Sequence, residues 1–132
     1  MSPAVRDSQA MIAGMAPQLD PHRWAFVAVT PDRAPELLGA ALGTFREHEG
    51  VSAIVPAALA ADAPTFARIT LTVHSDLEGV GLTAAVVTAL ADAQIACNVV
   101  AALHHDHLFV PSDRADDALA ILQALAAGAK VA

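Results

Sequence analysis

The sequence predicts an α+β sandwich, and three observations carry that expectation. Residues 66–127 read strand, helix, strand, strand, helix. The first of these strands, FARITLTVH, alternates: Ile69, Leu71 and Val73 share one face, and Thr70, Thr72 and His74 share the other. The connections are short throughout, as two packed layers require.

Taken in order, Asp7 or Ser8 caps a short helix over about 8–15, which Pro17 stops. Trp24 to Val29 is a short apolar run and reads as a strand. Residues 31–42 are rich in Pro and Gly and read as a loop with room for one or two helical turns. TFRE and VSAIVP flank His48-Glu49-Gly50, which gives a hairpin with Gly50 at positive φ. AALAADA after Pro56 reads as a short helix ending near Pro64. Leu82, Ala85, Val86, Ala89, Leu90 and Ala93 recur at helical spacing, so a helix covers about 81–93. Ile95 to Leu103 reads as a long apolar strand, His104-His105-Asp106 as a turn, and His107 to Pro111 as the return strand. Ser112 or Asp113 caps a last helix to about Ala126, with Ala115, Ala118, Leu119, Leu122 and Ala126 inward. The expected strands are therefore 24–29, 44–47, 51–56, 66–74, 95–103 and 107–111. No strand follows residue 127. The open edge is expected to be completed by a strand of the first half or by a partner chain, since unpaired apolar edges are avoided.

Composition narrows the function. The 132 residues carry a formal net charge of −7 with a single Lys, Lys130. Phosphate neutralisation needs clustered cations, so nucleic acid is an unsuitable partner, as is an anionic membrane surface. One cysteine, Cys97, excludes an intramolecular disulfide and a multi-cysteine zinc site. No run of about eighteen apolar residues is free of charge, and the first twenty residues lack a signal peptide's apolar stretch. A soluble, cytoplasmic protein is expected.

A faint internal repeat is present. Ile54-Val-Pro-Ala-Ala-Leu-Ala-Ala-Asp-Ala63 matches Phe109-Val-Pro-Ser-Asp-Arg-Ala-Asp-Asp-Ala118 at the Val-Pro, Ala, Asp and Ala positions. A hairpin precedes each copy and a helix follows. The alternative is chance coincidence in an Ala-rich chain.

ITLTVHSDLEGVGLTAAVVTALADAQIACNVVAA resembles the signature of ACT domains, small ferredoxin-like modules that bind amino acids and other effectors. TFREHEGVSAIVP, HSDLEGVGLTAAV, CNVVAA and HDHLFVP further resemble a bacterial subgroup of short proteins with two ACT-like halves in one chain. The resemblance spans about residues 17–127. It implies a ferredoxin-like sandwich of two halves, with helices on one face of an antiparallel-rich sheet, often paired across a dimer. The halves are a shortened one over 1–64 and an ACT domain over 65–132. It also implies a ligand held by the loop after the first strand and the start of the next helix: His74, Ser75, Asp76, Leu77, Glu78, Gly79, Val80, Gly81 and Leu82. The unit's second strand supplies the other side, here through Asn98. Many ACT domains have Asn directly after the Ile that opens that strand. Ala96 stands there in this chain, and Asn98 lies two residues on, on the same side.

These residues suit a zwitterion. Gly79 and Gly81 let the backbone approach a ligand. The N–H groups at the helix start favour a carboxylate, and Asp76 or Glu78 pairs with an ammonium group. The alternative is a plain strand-to-helix turn with Asp76 as its cap. His74 contacts a ligand carboxylate or satisfies the turn. His104, His105 and His107 make a poor metal set, because adjacent histidines diverge in a strand and no fourth ligand is evident. Cys97 alternates with Ile95 and Val99 and reads as a buried structural thiol. No nucleophile–base set, P-loop or dinucleotide fingerprint is present. The expected function is a non-catalytic amino-acid sensor, with no cofactor or metal, acting as a homodimer. The alternative is an interaction module of the same fold without a ligand.

Overall fold

The computed structural model describes residues 7–73 and 80–131. In chain order the elements are α1 (Ser8–Ala13), β1 (Pro17–Ala28), α2 (Ala34–Ala40), β2 (Gly43–Glu47), β3 (Gly50–Pro56), β4 (Phe66–Leu71), α3 (Leu82–Asp92), β5 (Asn98–Ala101), β6 (Asp106–Pro111) and α4 (Ala115–Val131). Two compact units result. One comprises residues 1–20 and 67–132, and the other comprises Pro21–Phe66.

In the first unit the strand order is β1-β4-β6-β5. The place beside β4 is taken by the opening residues of β1, a strand of the first half of the chain. The face of β4 that carries Ala67, Ile69 and Leu71 is buried under α3 and α4, as the alternation predicts. Leu82, Val86 and Leu90 of α3 and Ala115, Ala118, Leu122 and Ala126 of α4 complete this core. Each fully buried Leu, Ile or Val contributes roughly 1.5–3 kcal/mol through burial. Helix α1 adds Met11 and Met15 to the same cluster. Its cap is Asp7, whose Oδ2 accepts the Ala10 N–H at 2.8 Å.

In the second unit the order is β2-β3-β1, all antiparallel. Trp24 pairs with Pro56 and Ala28 with Ser52 across β1 and β3. Glu47 pairs with Gly50, so His48 and Glu49 are the two residues of the hairpin turn, and Gly50 has φ +136 as expected. Helix α2 covers this sheet through Leu37, Ala53 and Val55.

Several boundaries differ from the sequence expectation. Strand β1 begins at Pro17 rather than Trp24. Helix α1 ends at Ala13, short of the expected 15, with Gly14 as its C-cap, and Pro17 opens the next strand, a position where a missing N–H is tolerated. Residues 34–40 form helix α2 in the stretch expected to be mainly loop, with Pro35 in its first turn, where proline is favoured. The expected helix after Pro56 is a three-residue 3-10 turn, Ala57–Leu59. Strand β5 begins at Asn98, not Ile95, because α3 ends in a left-handed cap. Gln94 has φ +59, and the N–H of Ile95 returns to the Leu90 carbonyl at 2.9 Å. The internal repeat is structural as well as sequential. Pro56 (φ −54°, ψ 137°) and Pro111 (φ −53°, ψ 139°) share one conformation, and each leads into a three-residue 3-10 turn.

Candidate functional site

The site expected from sequence sits where β4 gives way to α3. Of its residues, His74, Ser75, Asp76, Leu77, Glu78 and Gly79 lie outside the described residues. Val80, Gly81, Leu82 and Asn98 are described. Gly81 is the N-cap of α3, with φ +108. Its carbonyl accepts the Ala85 N–H at 3.0 Å. A Cβ there would lie 2.7 Å from the Ser8 Cβ. Glycine is thus required by conformation and by space. A glycine cap has no side-chain oxygen, so it leaves the first-turn N–H groups of α3 without a cap of its own. Leu82 is buried in the core, and what it offers the surface is its backbone. Val80 is 79% exposed.

The outward face of β4 below this turn is polar and tied down. The Arg68 guanidinium donates to Asp20 Oδ2 at 2.9 Å. Thr70 Oγ1 lies 3.0 Å from His107 Nδ1. Thr72 donates its N–H to the Met15 carbonyl at 2.7 Å, and its hydroxyl to the Ala16 carbonyl at 3.0 Å. The corner between α1 and β1 therefore braces the end of β4. Sequence reasoning missed Met15 and Ala16 in this role. Their contacts span more than fifty residues, and only Thr72, on the polar face, signalled them.

Titration follows the same geometry. Burial lowers the His107 pKa, the neighbouring Arg68 guanidinium and His105 imidazole lower it further, and Asp106 opposes them. Burial pushes the Cys97 thiol up to about 11, so it is protonated at neutral pH and packs as an apolar group against the core. Among the described residues no group of three His, Cys, Asp or Glu is placed to hold a metal ion. His107 turns to Thr70, while the His104 and His105 rings stand edge to face, 6.4 Å apart.

Asn98 is exposed, and its backbone registers with Phe109. Exposure alternates from 95 to 100, which puts Ala96 and Asn98 on the same outward side. The strand order places β5 two strands from β4, about 10 Å across the sheet. Helix α3 has 11 residues and runs back from Gly81 for about 16 Å before the chain enters β5. Within one chain the length of α3 and the intervening strand β6 therefore separate Gly81 from Asn98.

Comparison with known proteins bears directly on this arrangement. Two ACT domain models match the chain in tandem, one over residues 3–67 and one over residues 67–124. A solved structure of a Vibrio cholerae protein of unknown function, described as a possible transport protein, is 38% identical. That match covers 87% of this chain and 92% of the other, with a TM-score of 0.76. The chain belongs to the ACT domain family. ACT domains are regulatory modules with a ferredoxin-like fold, and a model of this family matches each half of the chain. The fold recurs in more distant structures. The alpha and beta subunits of aspartokinase match at 13% identity and TM-score 0.57, over 83% of this chain and 95% of that one. The ligand-free regulatory subunit of aspartate kinase from Thermus thermophilus matches at 13% identity and TM-score 0.58, over 85% and 97%. No curated protein matches the chain. Among the described residues no helix is long and apolar enough to cross a membrane.

Proposed function

We propose that this ACT protein is a non-catalytic sensor of an amino acid, acting as a cytoplasmic homodimer. Its halves divide near residues 64 and 65. The ligand lies at the turn His74–Leu82 of one protomer, and Asn98 of a second protomer closes it. The observation that carries this reading is the start of α3: a glycine at φ +108, obligatory in space, ahead of N–H groups that the N-cap residue's own side chain does not cap, in an ACT domain. Such a terminus favours a carboxylate, and Asp76 or Glu78 supplies the charge for an ammonium group. The separation of Gly81 from Asn98 within one chain supports a site shared between two copies.

Mixed dimers test this. Asp76→Ala and Asn98→Ala each weaken amino-acid binding by about tenfold or more, the worth of one charge-assisted hydrogen bond. When the two variants are mixed, one site of each mixed dimer regains both residues, and binding recovers in part. Full affinity in both single variants overturns the site. Loss without recovery on mixing overturns sharing between protomers.

A second reading has its own observation. Phe45 is 72% exposed on β2, and Phe26 and Leu42 are exposed in the same unit. This surface favours an interaction module without a ligand. A protein that binds no amino acid but forms a stoichiometric complex supports that reading.

A further inference from the structure

Helix α1 and the corner that follows it touch the chain on either side of the candidate ligand turn. Before the turn, Thr72 donates its N–H to the Met15 carbonyl at 2.7 Å and its hydroxyl to the Ala16 carbonyl at 3.0 Å. After the turn, Ser8 abuts Gly81 so closely that a Cβ there would lie 2.7 Å from the Ser8 Cβ. One short stretch, residues 8–16, thus braces both flanks. The helix is itself held from beneath. Met11 and Met15 are fully buried in the large cluster, and α1 lies against α3 and α4. The Gln9 side chain donates to the Ala129 carbonyl of α4 at 2.9 Å.

The corner is strained. Ala16 has φ +38, a backbone region that residues with a Cβ rarely adopt. The other such residue described, Gln94, belongs to the C-terminal cap of α3. Ala16 caps no helix, because α1 already ends at Gly14. Strain of this kind persists where surrounding contacts over-determine it. Here those contacts are the buried Met15 side chain and the two bonds from Thr72. A helix of six residues is too short to persist alone, so its conformation depends on this docking. Seating α1 is opposed by the strain at Ala16 and favoured by its contacts with the core and with both flanks of the turn.

We infer that α1 is a strap whose seating sets the ligand affinity of the turn between β4 and α3. With α1 seated, Thr72 and Gly81 are held in place. With α1 lifted, the strain at Ala16 is released, both flanks lose their brace, and affinity falls. Linkage makes the effect reciprocal: a ligand at the turn tightens α1 by the same factor. The inference rests on the sensor reading above and adds its regulation. It also couples the two halves of the sequence, since α1 lies in the stretch matched by one ACT model and seats on the helices of the other.

The test is amide hydrogen exchange by NMR on the full chain, comparing wild type, Ala16→Val and Ala16→Gly, alone and with each of the twenty amino acids. At this φ a β-branched residue is worse than Ala and glycine is better. Without ligand, Ala16→Val speeds exchange of the Met11 and Gly14 amides, which bond to Asp7 and Ala10, by about tenfold or more, while α4 keeps its protection. Ala16→Gly does not. An amino acid that shifts the Gly81 amide slows α1 exchange in the wild type. It binds Ala16→Val at least about fivefold more weakly than Ala16→Gly. Equal affinity in the two variants overturns the strap and leaves the sensor reading standing. So does α1 exchange that is unchanged in Ala16→Val, or that rises no more than exchange in α4. No shift of the Gly81 amide with any amino acid overturns the sensor reading, and its regulation with it.

Discussion

The two units start from one local instruction and end differently. Val55-Pro56 and Val110-Pro111 have the same backbone and the same 3-10 turn. The second copy continues into α4, while the first has seven residues before Pro64 ends any helix. The consequence is a hydrophobic cluster of fifteen buried residues in the first unit and one of three in the second, among those described. A dipeptide sets how the chain leaves a strand. The length of chain free of breakers sets how much sheet it then covers. The well-covered unit buries the larger cluster of apolar side chains, and the thinly covered one the smaller.

Truncating each core sharpens that contrast most. Leu122→Ala empties a site in the large cluster and is expected to cost about 3–4 kcal/mol. Leu37→Ala in the small cluster is expected to cost about 2 kcal/mol, because a thin layer can collapse. Urea denaturation measures both, and equal losses would break the comparison. Gly81→Ala comes next, at about 1–3 kcal/mol, since it meets Ser8 and holds a left-handed φ. A smaller gain is expected from Gln94→Gly, about 1 kcal/mol, by relieving a left-handed residue. A thermal midpoint raised by a few degrees confirms it.

The smallest effects concern His107 and Ser112. His107 has a folded pKa below its unfolded value of about 6.5, so the unfolded chain takes the proton first as pH falls. Its contribution to stability is full above that unfolded value and declines below it. Comparing wild type with His107→Gln between pH 7.5 and 5 isolates a shallower decline in the variant. Ser112 Oγ is buried without a hydrogen-bond partner among the described residues, whereas the first repeat has Ala57 there. Ser112→Ala is expected to change stability by no more than about 0.5 kcal/mol or to raise it slightly. A loss above 1 kcal/mol would show that the hydroxyl has a partner.

Much of the first unit was legible because its code is local. Ile69 and Leu71 alternate, and Leu82, Val86 and Leu90 keep helical spacing. What escaped was set by distant partners. Gln18, Asp20 and His22 break the apolar run before Trp24, and part of β1 was missed because Arg68, far along the chain, holds Asp20. Strand β5 was drawn too long because periodicity carries no sign that Gln94 adopts a left-handed cap. At the candidate site, Gly81 was visible as a glycine, but the Ser8 contact that makes it obligatory was not. Arg33 and Glu36 drew no notice in sequence. Their pairing is local, three residues apart at the start of α2.

The central claim is that this chain senses an amino acid. A thermal-melt screen of the intact protein against the twenty amino acids tests it most directly. Ligand at about 100 times its dissociation constant adds about 2.7 kcal/mol, which for a domain of this size raises the midpoint by roughly 3–6 °C. The account predicts such a rise with at least one amino acid. A flat response to all twenty would contradict it.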